Sequence, residues 1–133
     1  MKEVLPQKAL ERKYPEWIVL VTVKAEKKVN IITLGWFMCT SIEPPMIAIS
    51  IGHSRFSHDL ILKEKEFGVS FVAHEMEKDM LFCGTHSGRD VDKFKETGLR
   101  PFPSKVSSLN SIICSNGAPS CEFPVGVPFI SAI

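Results

Sequence analysis

The chain has 133 residues, 44% of them hydrophobic and 23% charged, with a formal net charge of +1. That length fits one domain with a real core, and that balance excludes a wholly disordered chain. The near-zero charge supplies no bulk field to draw nucleic acid or an anionic membrane, so a bound anion must be held by a local arrangement.

The N-terminus, Met1-Lys2-Glu3-Val4-Leu5-Pro6, lacks a basic stretch followed by an apolar core. No apolar run nears the roughly 20 residues needed to span a bilayer. Cys39, Cys83, Cys114 and Cys121 form no C-x-x-C pair and have no histidine at zinc-finger spacing. Free thiols in a reducing cytoplasm, with no metal site, are expected.

Residues 17–23 (WIVLVTV) form a continuous β-branched and apolar run, the pattern of a buried strand. A charged tip, residues 24–28, separates it from residues 29–36 (VNIITLGW), and the pair predicts a hairpin whose turn lacks the usual glycine. Residues 37–43 lead into Pro44-Pro45, which forbids a helix there. Residues 46–51 (MIAISI) predict a third strand, ended by Gly52. Ser57 is the expected cap of a helix over residues 58–65, with Asp59 in its first turn and Lys63 and Lys65 in its last. Residues 67–73 (FGVSFVA) predict a fourth strand with alternating faces. Met76, Met80, Leu81 and Phe82 fit a short helix ending at Gly84, and Asp90 is the expected cap of another over residues 91–97, closed by Gly98.

From residue 104 onward only Lys105 and Glu122 are charged, whereas the first 103 residues carry 29 charges. This shift divides the chain into a domain over residues 1–103 and an atypical tail over 104–133, which is either an extension or a set of strands completing a barrel. The expected fold class is mainly β with short helices (β+α). The close succession of early strands points to an antiparallel meander or Greek-key barrel, and no G-x-G-x-x-G follows a strand to indicate a dinucleotide domain.

Two segments carry candidate chemistry. Ser54, Arg55, Phe56 and Ser57 place a guanidinium and two hydroxyls at a helix start, where free N–H groups favour an anion. A plain helix cap beside a solvated arginine is the competing reading. Thr33, Gly35, Trp36, Phe37, Met38, Cys39 and Thr40 offer hydroxyls, a close-approach glycine and a soft apolar wall suited to a planar ligand. Ordinary core packing is the alternative there. His53, His58, His74 and His86 are too few and too scattered to define a metal site.

The stretch from Val19 to Ile61 resembles the flavin reductase-like, FMN-binding split β-barrel family, which includes flavoredoxins. The resemblance is carried by residues 19–23, Asn30, Thr33, Trp36, Ser41-x-x-Pro44-Pro45, Ser54-Arg55-x-Ser57-His58 and residues 67–72. A second block, Cys83-Gly84-x-x-Ser87-Gly88-Arg89-Asp90-Val91-Asp92-Lys93-Phe94, resembles the family's downstream loop and helix, and the match spans about residues 15–105. It implies a homodimer with one FMN per subunit near the interface. Thr33, Gly35, Trp36, Phe37, Met38, Cys39 and Thr40 would line the ring and ribityl chain. Ser54, Arg55, Phe56 and Ser57 would hold the phosphate, and the loop from Gly84 to Lys93, including Lys93, would close over the flavin.

The activity implied is electron transfer from NADH or NADPH through FMN to a free flavin, an iron centre or a redox protein. The alternatives are a non-catalytic FMN-binding electron carrier, a truncated remnant with weak flavin binding, and a pyridoxamine phosphate oxidase-like split barrel. The family pattern continues with further strands after residue 105, so a C-terminally truncated or divergent barrel end is expected here.

Overall fold

The run that opens the strand pattern becomes β1 (Val19–Ala25), the central strand of a computed structural model that describes residues 5–26, 28–43, 45–103, 110–113 and 122–123. β1 pairs antiparallel with β2 (Lys28–Leu34) on one side and with β5 (Gly68–Phe71) on the other. A strand covered on both faces reads as an unbroken apolar run, and Val19, Leu20, Val21 and Val23 are all fully buried. Its two faces feed two cores. Val19, Val21 and Val23 join Ile32, Leu34, Ile47, Ile51, Ile61, Phe67 and Val69, whereas Leu20 joins Ile31, Met76, Cys83 and Leu99. The period of two in the strand decides which side chain goes where.

The β1–β2 hairpin is tight, because Ala25 pairs with Lys28. Glu26 supplies the left-handed conformation (φ 49°) that glycine usually provides. It also pairs with Lys63 at 2.6 Å, tying the turn to the helix that follows β4.

Residues 37–42, expected as a lead into the prolines, instead form a strand, β3 (Phe37–Ile42). It pairs with β4 (Pro45–Ile49), with a register shift between Cys39 and Ser41. Pro45 opens β4, a position where a missing N–H is tolerated. Most of β3 is exposed on both faces, so it carries no alternation by which to read it.

Two helix caps also differ from expectation. α2 (Phe56–Glu64) starts two residues before the expected position, with Arg55 at its N-cap and no side-chain cap bond. Ser57 lies inside the first turn, where it is buried and accepts a hydrogen bond from Asn30 Nδ2 at 2.8 Å. A tertiary partner has taken the hydroxyl that a cap would use. After β5, a 3₁₀ turn (His74–Met76) leads into α3 (Glu77–Thr85), which runs through Gly84 and ends at Thr85. α4 (Lys93–Thr97) is capped by Asp92, not Asp90, because the backbone N–H groups of Asp90 and Val91 turn back onto Ser87 O. Gly98 closes α4 in the left-handed conformation (φ 72°). A short helix, α1 (Pro6–Leu10), precedes all of this with proline at its start.

β6 (Arg100–Pro103) pairs with β7 (Asn110–Ile113), and β8 (Glu122–Phe123) pairs with β5, giving a four-stranded sheet of order β2-β1-β5-β8 and two two-stranded ribbons. The described residues of the tail are therefore strands that join the sheets. Pro44, Cys114, Cys121 and residues 128–133 lie outside the described residues. Among the described residues no helix is long and apolar enough to cross a membrane.

Candidate functional site

A cavity of about 470 Å³ opens where β2 ends, between the segment preceding β1 and the loop leading into α2. Thr33, Gly35 and Trp36 form one side, Ser50, Gly52, Ser54 and Arg55 another, and Tyr14, Glu16 and Ile18 a third. It is of the size that ligand pockets have. A second compartment of about 170 Å³ adjoins it, sharing Ile32, Ser54, Arg55 and Gly84.

The smaller compartment has a distinct chemistry. Arg55, Arg89 and Lys93 line it together with the hydroxyls of Ser54, Ser57, Thr85 and Ser87, and no carboxylate is among its lining residues. In a chain of net charge +1 this is the local concentration of cations that anion binding requires.

Lys93 is the most telling of these cations. It is 4% exposed, and its Nζ donates to Ile31 O at 2.8 Å and to Cys83 O at 2.7 Å. Among the described residues no carboxylate pairs with it. Burial, with the charge of Arg55 adding to it, holds its ammonium below the ordinary lysine value. A buried charge without a counter-ion is costly, and an anion entering the compartment lowers that cost. Cys83 beside it is pushed up to about 11 by burial, so its thiol is neutral at physiological pH and offers neither a thiolate nor a counter-charge.

The walls of this compartment are clamped together by Asn30. This asparagine is 3% exposed on β2 and reaches Ser57 in α2 through its Nδ2. Its Oδ1 lies against Gly88, where an added Cβ would come within 2.0 Å of it. Lys28 Nζ donates to Gly88 O at 2.9 Å, and Arg89 donates to Ser54 O at 3.1 Å. Arg89 also meets Asp59 at 3.4 Å. Phe56 lies between two cations, with Lys28 Nζ 5.9 Å and Arg89 Cζ 5.3 Å from its ring centre. The loop 86–92 is thereby fixed to the first turn of α2.

Of the residues singled out from sequence, Thr33, Gly35, Trp36, Ser54 and Arg55 meet in the large compartment, and Ser54, Arg55, Phe56, Ser57 and Lys93 in the small one. Phe37, Met38, Cys39 and Thr40 line neither within a single chain. The chain turns at Gly35 and Trp36, whose carbonyl accepts from Ser50 N at 2.9 Å, and β3 then leaves the cleft. Phe37 packs edge-on against Phe71 at 5.7 Å, while Met38, Cys39 and Thr40 are exposed.

Tyr14, Glu16 and Ile18, outside the candidate segments, also line the large compartment, and Thr85, His86 and Arg89, from the loop expected to close over the flavin, line the small one. Tyr14 and Glu16 precede the run at 17–23 in a segment without period, and Ile18 lies inside that run. A charged side chain three residues before a buried strand was the available signal for Glu16. Asn30 was legible as a lone amide in a β-branched run.

Fold and cleft together define a small, mainly β protein with a two-part site, open and mixed in polarity at one end and cationic at the other. The sequence pattern of the Flavin reductase like domain matches residues 11–129. An uncharacterized protein of Archaeoglobus fulgidus is 35% identical over 103 residues, covering 77% of this chain and 58% of that protein. The flavoredoxin of Desulfovibrio vulgaris (Miyazaki F) superposes with a TM-score of 0.75 at 26% identity, over 84% of this chain and 61% of that one. An FMN-binding protein from Thermus thermophilus, solved with bound 1-cyclohex-2-enone, gives a TM-score of 0.71 at 29% identity, over 84% and 60% of the two chains. This chain thus spans about three-fifths of the length of these relatives.

The chain belongs to the flavin reductase like family, and its fold is the split β-barrel of that family's FMN-binding proteins.

Proposed function

We propose that the chain binds FMN, with the phosphate in the small compartment and the isoalloxazine in the large one, and that the bound flavin carries electrons from NADH or NADPH to a flavin, iron or protein acceptor. The observation that carries the reading is the carboxylate-free compartment of Arg55, Arg89, Lys93 and four hydroxyls, joined to a larger cavity. The donor set fits a phosphate dianion. Arg55 and Arg89 present planar forks, Lys93 supplies a buried charge, and Ser54, just before the N-cap of α2, and Ser57, in its first turn, supply hydroxyl donors. Trp36 and Ile18 give the ring apolar surface, Ser50 offers a hydroxyl to its polar atoms, and Thr33, whose O–H donates to Met80 O, offers an acceptor.

The flavin supplies the hydride and electron chemistry when bound. The chain's own residues anchor the phosphate, orient the ring through the wall at Trp36, and keep the loop 86–92 against α2. No general acid or base is demanded of them. A homodimer belongs to the same proposal: Met38 and Ile42 are 63% and 92% exposed on β3, and a second subunit would both cover them and bring β3 toward a flavin near the interface.

The purified protein is expected to show the visible bands of an oxidised flavin after incubation with FMN, and to lose them anaerobically on adding NADH or NADPH. Bands that persist with both nicotinamides identify a carrier reduced by another donor. A protein that remains colourless with added FMN contradicts the reading.

A further inference from the structure

The large compartment is lined by charges of both signs. Arg55 and Glu16 are the two charged side chains among the residues lining it, and Arg55 is shared with the anion compartment. Glu16 instead borders a separate apolar groove lined by Trp17, Ile18, Val72 and Met80. A ligand anchored by its phosphate in the anion compartment and extending past Arg55 therefore shares the large compartment with the Glu16 carboxylate.

The Glu16 side chain is only 12% exposed. Its Oε1 is ion-paired with Lys13, whose own side chain is 57% exposed. Its Oε2 has no hydrogen-bond partner among the described residues, yet is not sealed off as a buried unsatisfied atom. A Cβ added at Gly35 would stand 3.9 Å from that oxygen. One carboxylate oxygen is thus held by Lys13, while the other faces the backbone where β2 opens into the cavity.

We propose that Glu16 sets the redox preference of the site, its carboxylate disfavouring the reduced flavin relative to the oxidised one, with Lys13 partly offsetting that effect. This rests on the flavin-binding reading above. Uptake of two electrons and one proton converts the neutral isoalloxazine into a monoanion, with its charge spread over N1 and the C2 carbonyl. A fixed carboxylate in the same cavity opposes that charge, and does so more strongly where water is partly excluded. The ion pair with Lys13 attenuates the field without cancelling it, because Lys13 lies on the solvent side.

The test is the ratio of dissociation constants for reduced and oxidised FMN. It is measured anaerobically with dithionite as reductant, in the wild-type chain, Glu16→Gln and Lys13→Met. Glu16→Gln keeps the size and shape of the side chain and is expected to shift the ratio toward reduced FMN by about 10-fold. Lys13→Met is expected to shift it the other way. A Glu16→Gln ratio within about 2-fold of wild type, or a shift of the same sign in both variants, overturns the role of Glu16. If wild type binds FMN far better than riboflavin while the ratio does not move, only this inference falls. If wild type takes up no FMN at all, both readings fall.

Discussion

Gly88→Ala is expected to destabilise the fold by about 3 kcal/mol and to weaken FMN binding. The new Cβ would stand 2.0 Å from Asn30 Oδ1, 2.8 Å from Asn30 Cγ and 3.0 Å from Phe56 Cδ1. Backbone conformation is not the difficulty, since Gly98 is the one described glycine in the left-handed region. The difficulty is that Asn30 has nowhere to go. It is 3% exposed, and turning it aside breaks the 2.8 Å bond to Ser57. The loop 86–92 must then lift, which strains the bonds from Lys28 to Gly88 O and from Arg89 to Ser54 O.

Urea denaturation of Gly88→Ala, Asn30→Ala and the double variant measures this directly. Asn30→Ala removes the obstruction, so the double variant should cost at least about 1 kcal/mol less than the sum of the single changes. Additive costs would show that Gly88 and Asn30 do not oppose one another.

Arg55→Ala is expected to weaken FMN binding by about 10- to 100-fold, the loss of one or two charge-assisted hydrogen bonds, while riboflavin affinity changes by less than about 3-fold. Arg55 occupies the N-cap position of α2 without a side-chain cap bond, so its removal should leave the helix intact. It lines both compartments, and its charge is felt at Lys93, where it adds to the depression that burial causes. Fluorescence titration of both flavins gives the two affinities. An equal loss for FMN and riboflavin would mean that Arg55 contacts the ring or shapes the cavity rather than holding phosphate.

Much of this site was legible in the residues themselves. The run at 17–23 announced a buried strand, and β1, which starts at Val19, is that strand. Ser54, Arg55 and Ser57, the candidates for an anion site at a helix start, line the carboxylate-free compartment. What misled was local chemistry overridden by tertiary partners. Ser57 resembles a cap, yet Asn30, 27 positions away, claims its hydroxyl. Asp90 resembles a cap, yet the turn at Ser87 delays α4 until Asp92. β3 stayed hidden because a ribbon with little buried surface leaves no period. The side chains at 37–40 follow the site residues in sequence and line neither compartment of the single chain. Glu16 and Tyr14 line the large one, on a segment whose approach to Gly35 only the fold creates.

The central claim is that the small compartment holds a flavin's phosphate while the large one takes its ring. The ratio of riboflavin to FMN dissociation constants for the wild-type chain, at fixed ionic strength, tests it most directly. With Arg55, Arg89 and Lys93 acting on one phosphate, FMN should bind at least about 100-fold more tightly than riboflavin. Equal affinities for the two flavins, or no measurable affinity for FMN, would contradict the account.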